Sequence, residues 1–568
     1  MKGFGENRKS INNSRKNSRI DISQEQIINK AIQFHLNGNI QEAKKFYQKI
    51  INQGCKDHRV FCNYGVILKN LGKLQEAALS TRKAIELNPN YALAHSNFGN
   101  LLRDLGKLQE AELSFRKAIE LNPDYSMAHC NLGALLKDLG KLQEAELSFR
   151  KAIELNPDVA VAHSNLGSVL KNIGQLKNAE KSTRKAIELN PDYAEAYSNL
   201  GNILKNLGEF QEAEKSTRKA IELNPDLASA YFSLSTLKYS DENQEWKKYL
   251  LSEKILKNKL KKDKVNIFFA RGNIFHKEKN YKESSYCYTL ANKLKLDIKP
   301  SQSEDRIQKS KLLLLETEKL ECKKKEINKK ENLSFPESIF IVGMPRCGST
   351  LLESILSMNT DVYDLGEINL LEESFLEQRR NRNRSSLIDI YLKKISAYTN
   401  KFNITTNKWL YNYQYTGIIL NQIPEAKIIH CYRNPLDNIL SIYRANFESG
   451  NEYSSSLVDC TKIYLDQEEI MTKYKKKYRS KIYDMNYDFL VSNPKKEIKS
   501  LISWLGWKWE DSYLSPHLNP RAVSTASSVQ VRSPINTNST GGWKNYKNIL
   551  KPSIEILQET VKYRELPL

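Results

Sequence analysis

The sequence predicts two architectures in series: an α-solenoid of helical hairpins, then an α/β domain whose mostly parallel sheet is built around a phosphate-binding loop. Three observations carry this. Asn-Pro recurs every 34 residues, at Asn88-Pro89, Asn122-Pro123, Asn156-Pro157, Asn190-Pro191 and Asn224-Pro225, and a fixed period of that length marks stacked helical repeats. Ser338 to Leu352 reads as a buried strand, a Gly-bounded turn and the opening of a helix. Ala426 to Phe447 repeats that outline: a strand ending at Arg433-Asn434-Pro435 and a helix from Asn438 onward.

Length and composition set the frame. The 568 residues suffice for several domains, and the expected boundaries are a basic disordered tail at 1–22, a superhelix at 23–300, a charged helical linker at 301–335 and the α/β domain at 336–568. A net charge of +22 would suit nucleic acid or a membrane surface, but Lys, Asn and Ile are used heavily throughout, and a site for a polyanionic ligand also profits from a positive field. The eight cysteines are scattered without a C-x-x-C pair or a Cys/His cluster. Neither zinc nor a disulfide framework is indicated, and reduced thiols in the cytoplasm fit best. No apolar run reaches the roughly 18 residues of a membrane span, and the polar N-terminus lacks the apolar core of a secretory signal.

Within each repeat a Gly recurs (Gly65, Gly99, Gly133, Gly167, Gly201), then an Ala (Ala77, Ala111, Ala145, Ala179, Ala213), then a second Ala (Ala84, Ala118, Ala152, Ala186, Ala220). Small residues there let two helices approach, and Pro ends the unit. This resembles the tetratricopeptide-repeat (TPR) pattern. Gln24 to Asp57 reads as a weaker opening copy, and Val265 to Lys295, with Gly272, Tyr281, Tyr286 and Ala291, as a divergent closing one. The resemblance implies a concave groove that holds a protein or peptide partner. Asn63, Asn97, Asn131, Asn165 and Asn199 recur on one face of the first helices. They either grip a peptide backbone through their amides or merely solvate the groove.

The loop at Gly343-Met344-Pro345-Arg346-Cys347-Gly348-Ser349-Thr350 meets the phosphate-loop frame at Gly343, Gly348 and Thr350, but Ser349 stands where a triphosphatase carries Lys. That argues against ATP or GTP, and Arg346 supplies the cation from inside the loop. Arg433, at the second strand's end, and Ser441, eight residues on, both reach the crevice outside the carboxyl ends of the strands. A guanidinium fork and a hydroxyl suit a monophosphate dianion.

Together these segments resemble sulfotransferases that use PAPS (3′-phosphoadenosine 5′-phosphosulfate), closest to the tyrosylprotein and TPR-linked bacterial branches. The resemblance spans roughly 336–550. It implies a nucleotide site of Arg346, Cys347, Gly348, Ser349 and Thr350 in the loop, Arg433 and Ser441 at the 3′-phosphate, and Tyr487. It extends that site to Ser528, Arg532 and Lys544 in a C-terminal segment folded over the nucleotide. Gly542 stands where tyrosylprotein sulfotransferases have Lys, with Lys544 the substitute. Glu367, in Asp364-Leu365-Gly366-Glu367, takes the role of catalytic base; Arg346, Lys408 and Ser527 meet the charge that develops during transfer. No metal is implied. The acceptor stays open between peptide tyrosine, a carbohydrate and a small phenol. A phosphate-loop kinase or GTPase with a TPR adaptor, and a scaffold with a vestigial α/β domain, are the rival classes. His430 is a rival base, although its apolar strand makes it read as a core histidine.

Overall fold

The computed structural model describes residues 25–238, 244–324, 337–380, 385–399, 403–447, 450–519, 521, 523, 525 and 527–566. The tail expected at 1–22 and the linker stretch 325–335 lie outside the described residues. The chain divides into two compact units, Met1–Asn199 and Leu200–Leu568.

The first unit is a run of helical hairpins. A helix at 25–36 pairs with Ile40–Asn52, then His58–Asn70 with Leu74–Leu87, Ala92–Asp104 with Leu108–Leu121, Ser126–Asp138 with Leu142–Leu155, and Ala160–Asn172 with Leu176–Leu189. The recurring Gly is a close-approach position: a Cβ on Gly99 would fall 2.7 Å from the Phe115 ring of the second helix. The Asn of Asn-Pro ends each second helix and turns the chain, its side chain accepting from the N–H two residues on, at 3.1 Å from Asn90 and 3.2 Å from Asp124. The Asn ladder has a structural use. Asn97 Nδ2 donates to Cys62 Sγ (3.3 Å), Asn131 Nδ2 to Ser96 Oγ (3.3 Å) and Asn199 Nδ2 to Ser164 Oγ (2.9 Å). Each amide thereby ties one first helix to the preceding one.

The second unit continues with helices Phe210–Leu223, Ala228–Thr236, Glu245–Leu251, Lys261–Lys277, Tyr281–Ile298 and Ser303–Lys324. Five strands follow: β1 (Glu337–Gly343), β2 (Val362–Asp364), β3 (Ile404–Asn407), β4 (Lys427–Tyr432) and β5 (Ile482–Asn486). All pair in parallel, in the order β2-β3-β1-β4-β5. Central β1 is buried on both faces, as a parallel sheet covered by helices requires. Phe340 and Val342 enter one apolar cluster, Ile339 and Ile341 the other.

The first of those clusters does not stop at the sheet domain. It takes in Val265, Phe269, Tyr288 and Ala291 from the closing hairpin (Lys261–Lys277 and Tyr281–Ile298) and Leu313 from the charged helix Ser303–Lys324. Ser310 on that helix donates to Asp466 Oδ2 (2.7 Å) and accepts from Gln414 Nε2 (2.8 Å). Its charged face is solvated while its other face is core. Among the described residues no helix is long and apolar enough to cross a membrane.

Candidate active site

The sheet topology brings the site together. Every strand runs the same way, so the segments after β1, β2, β3, β4 and β5 emerge at one edge, and β1 lies where the strand order reverses, the usual ligand crevice of open α/β sheets. The expected residues Arg346, Glu367, Lys408, Arg433 and Tyr487 leave those five ends in turn.

The loop after β1 is compact because its neighbours leave no room for side chains. Gly348, at φ +98, caps the helix Ser349–Leu356, and a Cβ there would strike the Tyr487 ring at 2.2 Å. Arg346 itself adopts φ +66, a conformation costly for a residue with a side chain and typical of functional loops. Asn438 Nδ2 holds the loop through the Pro345 carbonyl (2.8 Å). The first-turn N–H groups of Ser349–Leu356 have no intrahelical acceptor, which suits an anion.

Arg346 gathers residues far apart in sequence. Its Nε donates to Ser441 Oγ (3.1 Å), Nη1 to Ser527 Oγ (2.5 Å) and Nη2 to Gln530 Oε1 (3.0 Å). All three acceptors are neutral. Burial, reinforced by the charges of Arg433 and Arg444, lowers the Arg346 pKa to about 10. Arg433 is buried, donates through Nη1 to the Arg346 carbonyl (3.4 Å) and through Nη2 to the Ser539 carbonyl, and lies 4.8 Å from the centre of the Tyr487 ring. Among the described residues its Nε has no hydrogen-bond partner. Helix Pro435–Tyr443, which carries Ser441, starts three residues earlier than the sequence suggests: Asn434 caps it by accepting from Leu436 and Asp437 N–H (3.0 and 3.2 Å), and Pro435 fits its first turn.

Lys408 and Glu367 form the second cluster. Lys408 is fully buried, with Nζ 2.6 Å from Glu367 Oε1 and 3.7 Å from Glu353 Oε2. Burial works against its charge, but the two carboxylates outweigh that and raise its pKa above the usual lysine value. Glu353 is in turn held by Arg521 Nη2 (3.0 Å), and Arg521 also pairs with Asp364. The side chain of Glu367, 44 % exposed, is the accessible end of this chain of charges. A cavity of about 330 Å³ is lined by Trp409, the residue after Lys408, with Tyr411, Tyr453, Arg306, Lys309 and Glu372 among others.

The C-terminal segment closes over the loop. Thr525 Oγ1 lies 3.3 Å from Thr350 Oγ1, and Asp437 accepts from the N–H groups of Gly541 (2.6 Å) and Trp543 (2.9 Å). Ser527 meets Arg346 directly. Ser528 is buried, with its N–H on the Thr525 carbonyl (3.1 Å). Arg532 is turned to the carbonyls of Asn519 (2.5 Å) and Arg521, and Lys544 is exposed. Cys347 is buried, and its carbonyl accepts from Cys431 Sγ (3.2 Å). His430 is buried in β4 against Gln467 and Asp484, with its pKa lowered by burial.

Sequence reasoning missed Glu353, Arg521 and Gln530. Glu353 had a signal, as the one charge in the apolar helix Ser349–Leu356; Arg521 and Gln530 had none, since only folding brings them near.

Known proteins resemble the chain in both of its parts. Residues 336–511 match the sulfotransferase family. Tetratricopeptide repeats match at 58–91, 81–112, 99–140, 126–159, 169–208 and 194–227. An uncharacterized protein of Aquifex aeolicus (strain VF5) is 32% identical over 252 residues, 40% of this chain and 33% of that protein. The chain therefore matches about a third of that relative's length. A Caenorhabditis briggsae protein, provisionally described as a protein-tyrosine sulfotransferase, is 23% identical over 241 residues, 37% of this chain and 81% of that one. Among solved structures, YrrB, a TPR protein with an unusual peptide-binding site, is 27% identical over 32% of this chain and 95% of its own, at a TM-score of 0.27. MamA is 26% identical over 28% of this chain and 94% of its own, at a TM-score of 0.26. The chain thus joins a tetratricopeptide-repeat array to a domain of the sulfotransferase family.

Proposed function

We propose that the chain transfers a sulfuryl group from PAPS to a hydroxyl acceptor, a peptide tyrosine, with the repeat array holding the substrate or a partner protein in the cytoplasm. One observation carries the donor reading: Arg346, Arg433 and Arg444 crowd one place closely enough to depress the Arg346 pKa, yet among the described residues Arg346 donates to hydroxyls and an amide and to no carboxylate. Such a cluster is completed by an anion. The orphaned Arg433 Nε, beside the loop that Gly348 lets pack against the Tyr487 ring, fits a nucleotide carrying phosphate on both sides of its ribose.

Arg346 and the backbone from Cys347 to Thr350 would hold its 5′ end. Arg433 and Ser441 would hold the 3′-phosphate, with Tyr487, Ser528 and Lys544 completing the enclosure, while Arg532, spent on the Asn519 and Arg521 carbonyls, would hold the C-terminal segment in shape. The donor, when bound, supplies an activated sulfuryl group. Glu367 takes the proton from the acceptor hydroxyl, and Lys408 orients that carboxylate. Arg346, Lys408 and Ser527 oppose the negative charge that builds during transfer; one donor of this kind contributes about 3 kcal/mol, or roughly 10²-fold or more in rate. Because Glu353 and Arg521 anchor Lys408 from behind, its ammonium stays in place while Glu367 takes up a proton.

Tyrosine is favoured by the provisional description of the Caenorhabditis briggsae relative. The test is transfer of labelled sulfate from PAPS by the full chain to a panel of tyrosine peptides, glycans and small phenols. Label on the peptide supports the reading; label confined to glycans or phenols overturns the acceptor. Tight ATP binding with indifference to adenosine 3′,5′-bisphosphate overturns the donor.

A further inference from the structure

One turn recurs through the repeats with the same glycine. Gly72, Gly106, Gly140, Gly174 and Gly208 all adopt left-handed φ between +76 and +90. At the first four, nothing lies within 4 Å of the place a Cβ would take. At Gly208 that place is 3.2 Å from Nε of Arg532. A hydrogen bond adjoins it, from Val523 N–H to the Asn206 carbonyl (3.2 Å). Farther on, the Tyr546 hydroxyl lies 2.8 Å from His276 Nδ1 and 2.9 Å from Ser284 Oγ, both on the closing hairpin, and Arg444 lies over the rings of Tyr288 and Tyr546. All these groups belong to the unit Leu200–Leu568.

The segment so held is the one that faces the phosphate loop. Between its anchors at Arg532 and Tyr546, Ser539 accepts from Arg433 and the N–H groups of Gly541 and Trp543 reach Asp437; just before Arg532, Ser527 and Gln530 accept from Arg346. Its regular structure is limited to two short 3₁₀ turns, Gln530–Arg532 and Gly542–Tyr546. A segment with so little local order must be fixed by tertiary contacts, and ordering it at the moment a ligand binds subtracts from affinity.

We propose that the repeat turn Asn206–Gly208 and the closing hairpin are positioning elements of the nucleotide site. By bonding Val523 and Tyr546 and leaving room at Gly208 for the Arg532 side chain, they set Ser527 and Gln530 against Arg346 before the donor arrives, so the repeats tune donor affinity without touching the donor. The inference rests on the reading that this loop binds a nucleotide bisphosphate. Because the same turn exists without a neighbour at Gly174, the molecule carries its own control. Asn tolerates left-handed φ, so Gly208→Asn and Gly174→Asn incur like backbone costs, and only the first displaces Arg532.

Calorimetry with adenosine 3′,5′-bisphosphate on the full chain is expected to show about tenfold weaker binding for Gly208→Asn and unchanged binding for Gly174→Asn, with similar shifts in Tm. Tyr546→Phe, which keeps the ring and removes both bonds of the hydroxyl, is expected to weaken binding severalfold. Wild-type affinity in both Gly208→Asn and Tyr546→Phe overturns the inference, as does equal weakening by Gly174→Asn. A wild-type chain that does not bind the bisphosphate overturns instead the reading of the loop beneath it.

Discussion

The repeat array and the sulfotransferase-family domain use the same kinds of contact at opposite distances along the chain. In the array a residue does its work against a partner one helix or one repeat away: Gly99 against Phe115, Asn131 against Ser96, then the same again 34 residues later. In the domain each contact is made once, across long separations: Arg346 meets Ser441, Ser527 and Gln530, from 95 to 184 residues away. The contrast teaches where damage should spread. A change in the repeats before Asn199 is felt by its neighbours and costs stability; a change in the site removes one end of a long-range convergence and costs function.

The comparison is tested most severely at Arg346. Arg346→Ala is expected to abolish measurable transfer, a loss of at least 10²-fold, while the chain unfolds at nearly the wild-type denaturant midpoint. Full retained turnover would deny the site its centre. Lys408→Met should cost activity on the same scale and stability as well, about 3 kcal/mol, because buried Glu353 loses a counter-charge. Glu367→Gln, altering a half-exposed side chain, should lower kcat comparably with little change in unfolding midpoint. If both variants destabilise equally, the ammonium is not the buried anchor described.

The pH dependence sharpens the same point. A guanidinium binds an anion only when protonated, and burial beside two other guanidiniums brings the Arg346 pKa down to about 10. Bisphosphate affinity should therefore be flat from about pH 7, where its phosphates are dianions, up to about pH 10, and fall as pH rises through it, by up to tenfold per unit. A profile flat well beyond that value would show that Arg346 keeps the ordinary guanidinium pKa in the free site. The smallest functional effect belongs to the array. Gly99→Ala, which forces a methyl against the Phe115 ring, should cost about 1–3 kcal/mol in unfolding experiments and leave bisphosphate affinity unchanged; altered affinity would mean that strain travels farther than packing implies.

The parts of the molecule that could be read in advance share this distinction. The hairpins, the strand–loop–helix at Gly343 to Thr350 and the strand end at Arg433 are local patterns, and a local pattern carries its own period, cap or glycine. The Asn ladder shows the limit: its spacing was visible, but not that the amides of Asn97, Asn131 and Asn199 reach the preceding repeat. The helix Ser303–Lys324 shows another. Its charge was plain, whereas the burial of Leu313 and the bonds of Ser310 depend on a sheet domain that begins a dozen residues after it ends.

From the chain alone follow the repeat period, the presence of a loop built for an anion without the lysine of a triphosphatase, and the residue types that can meet a phosphate. Composition and spacing act over a few turns of backbone, and these features need no more. Folding alone decided that Glu353 and Arg521 stand behind Lys408, that Gln530 joins Arg346, and that Arg532 occupies the space beside a repeat turn at Gly208. Those pairs are distant in sequence, and only a sheet that delivers every strand end to one edge, under a core shared with the last repeat, brings them within reach.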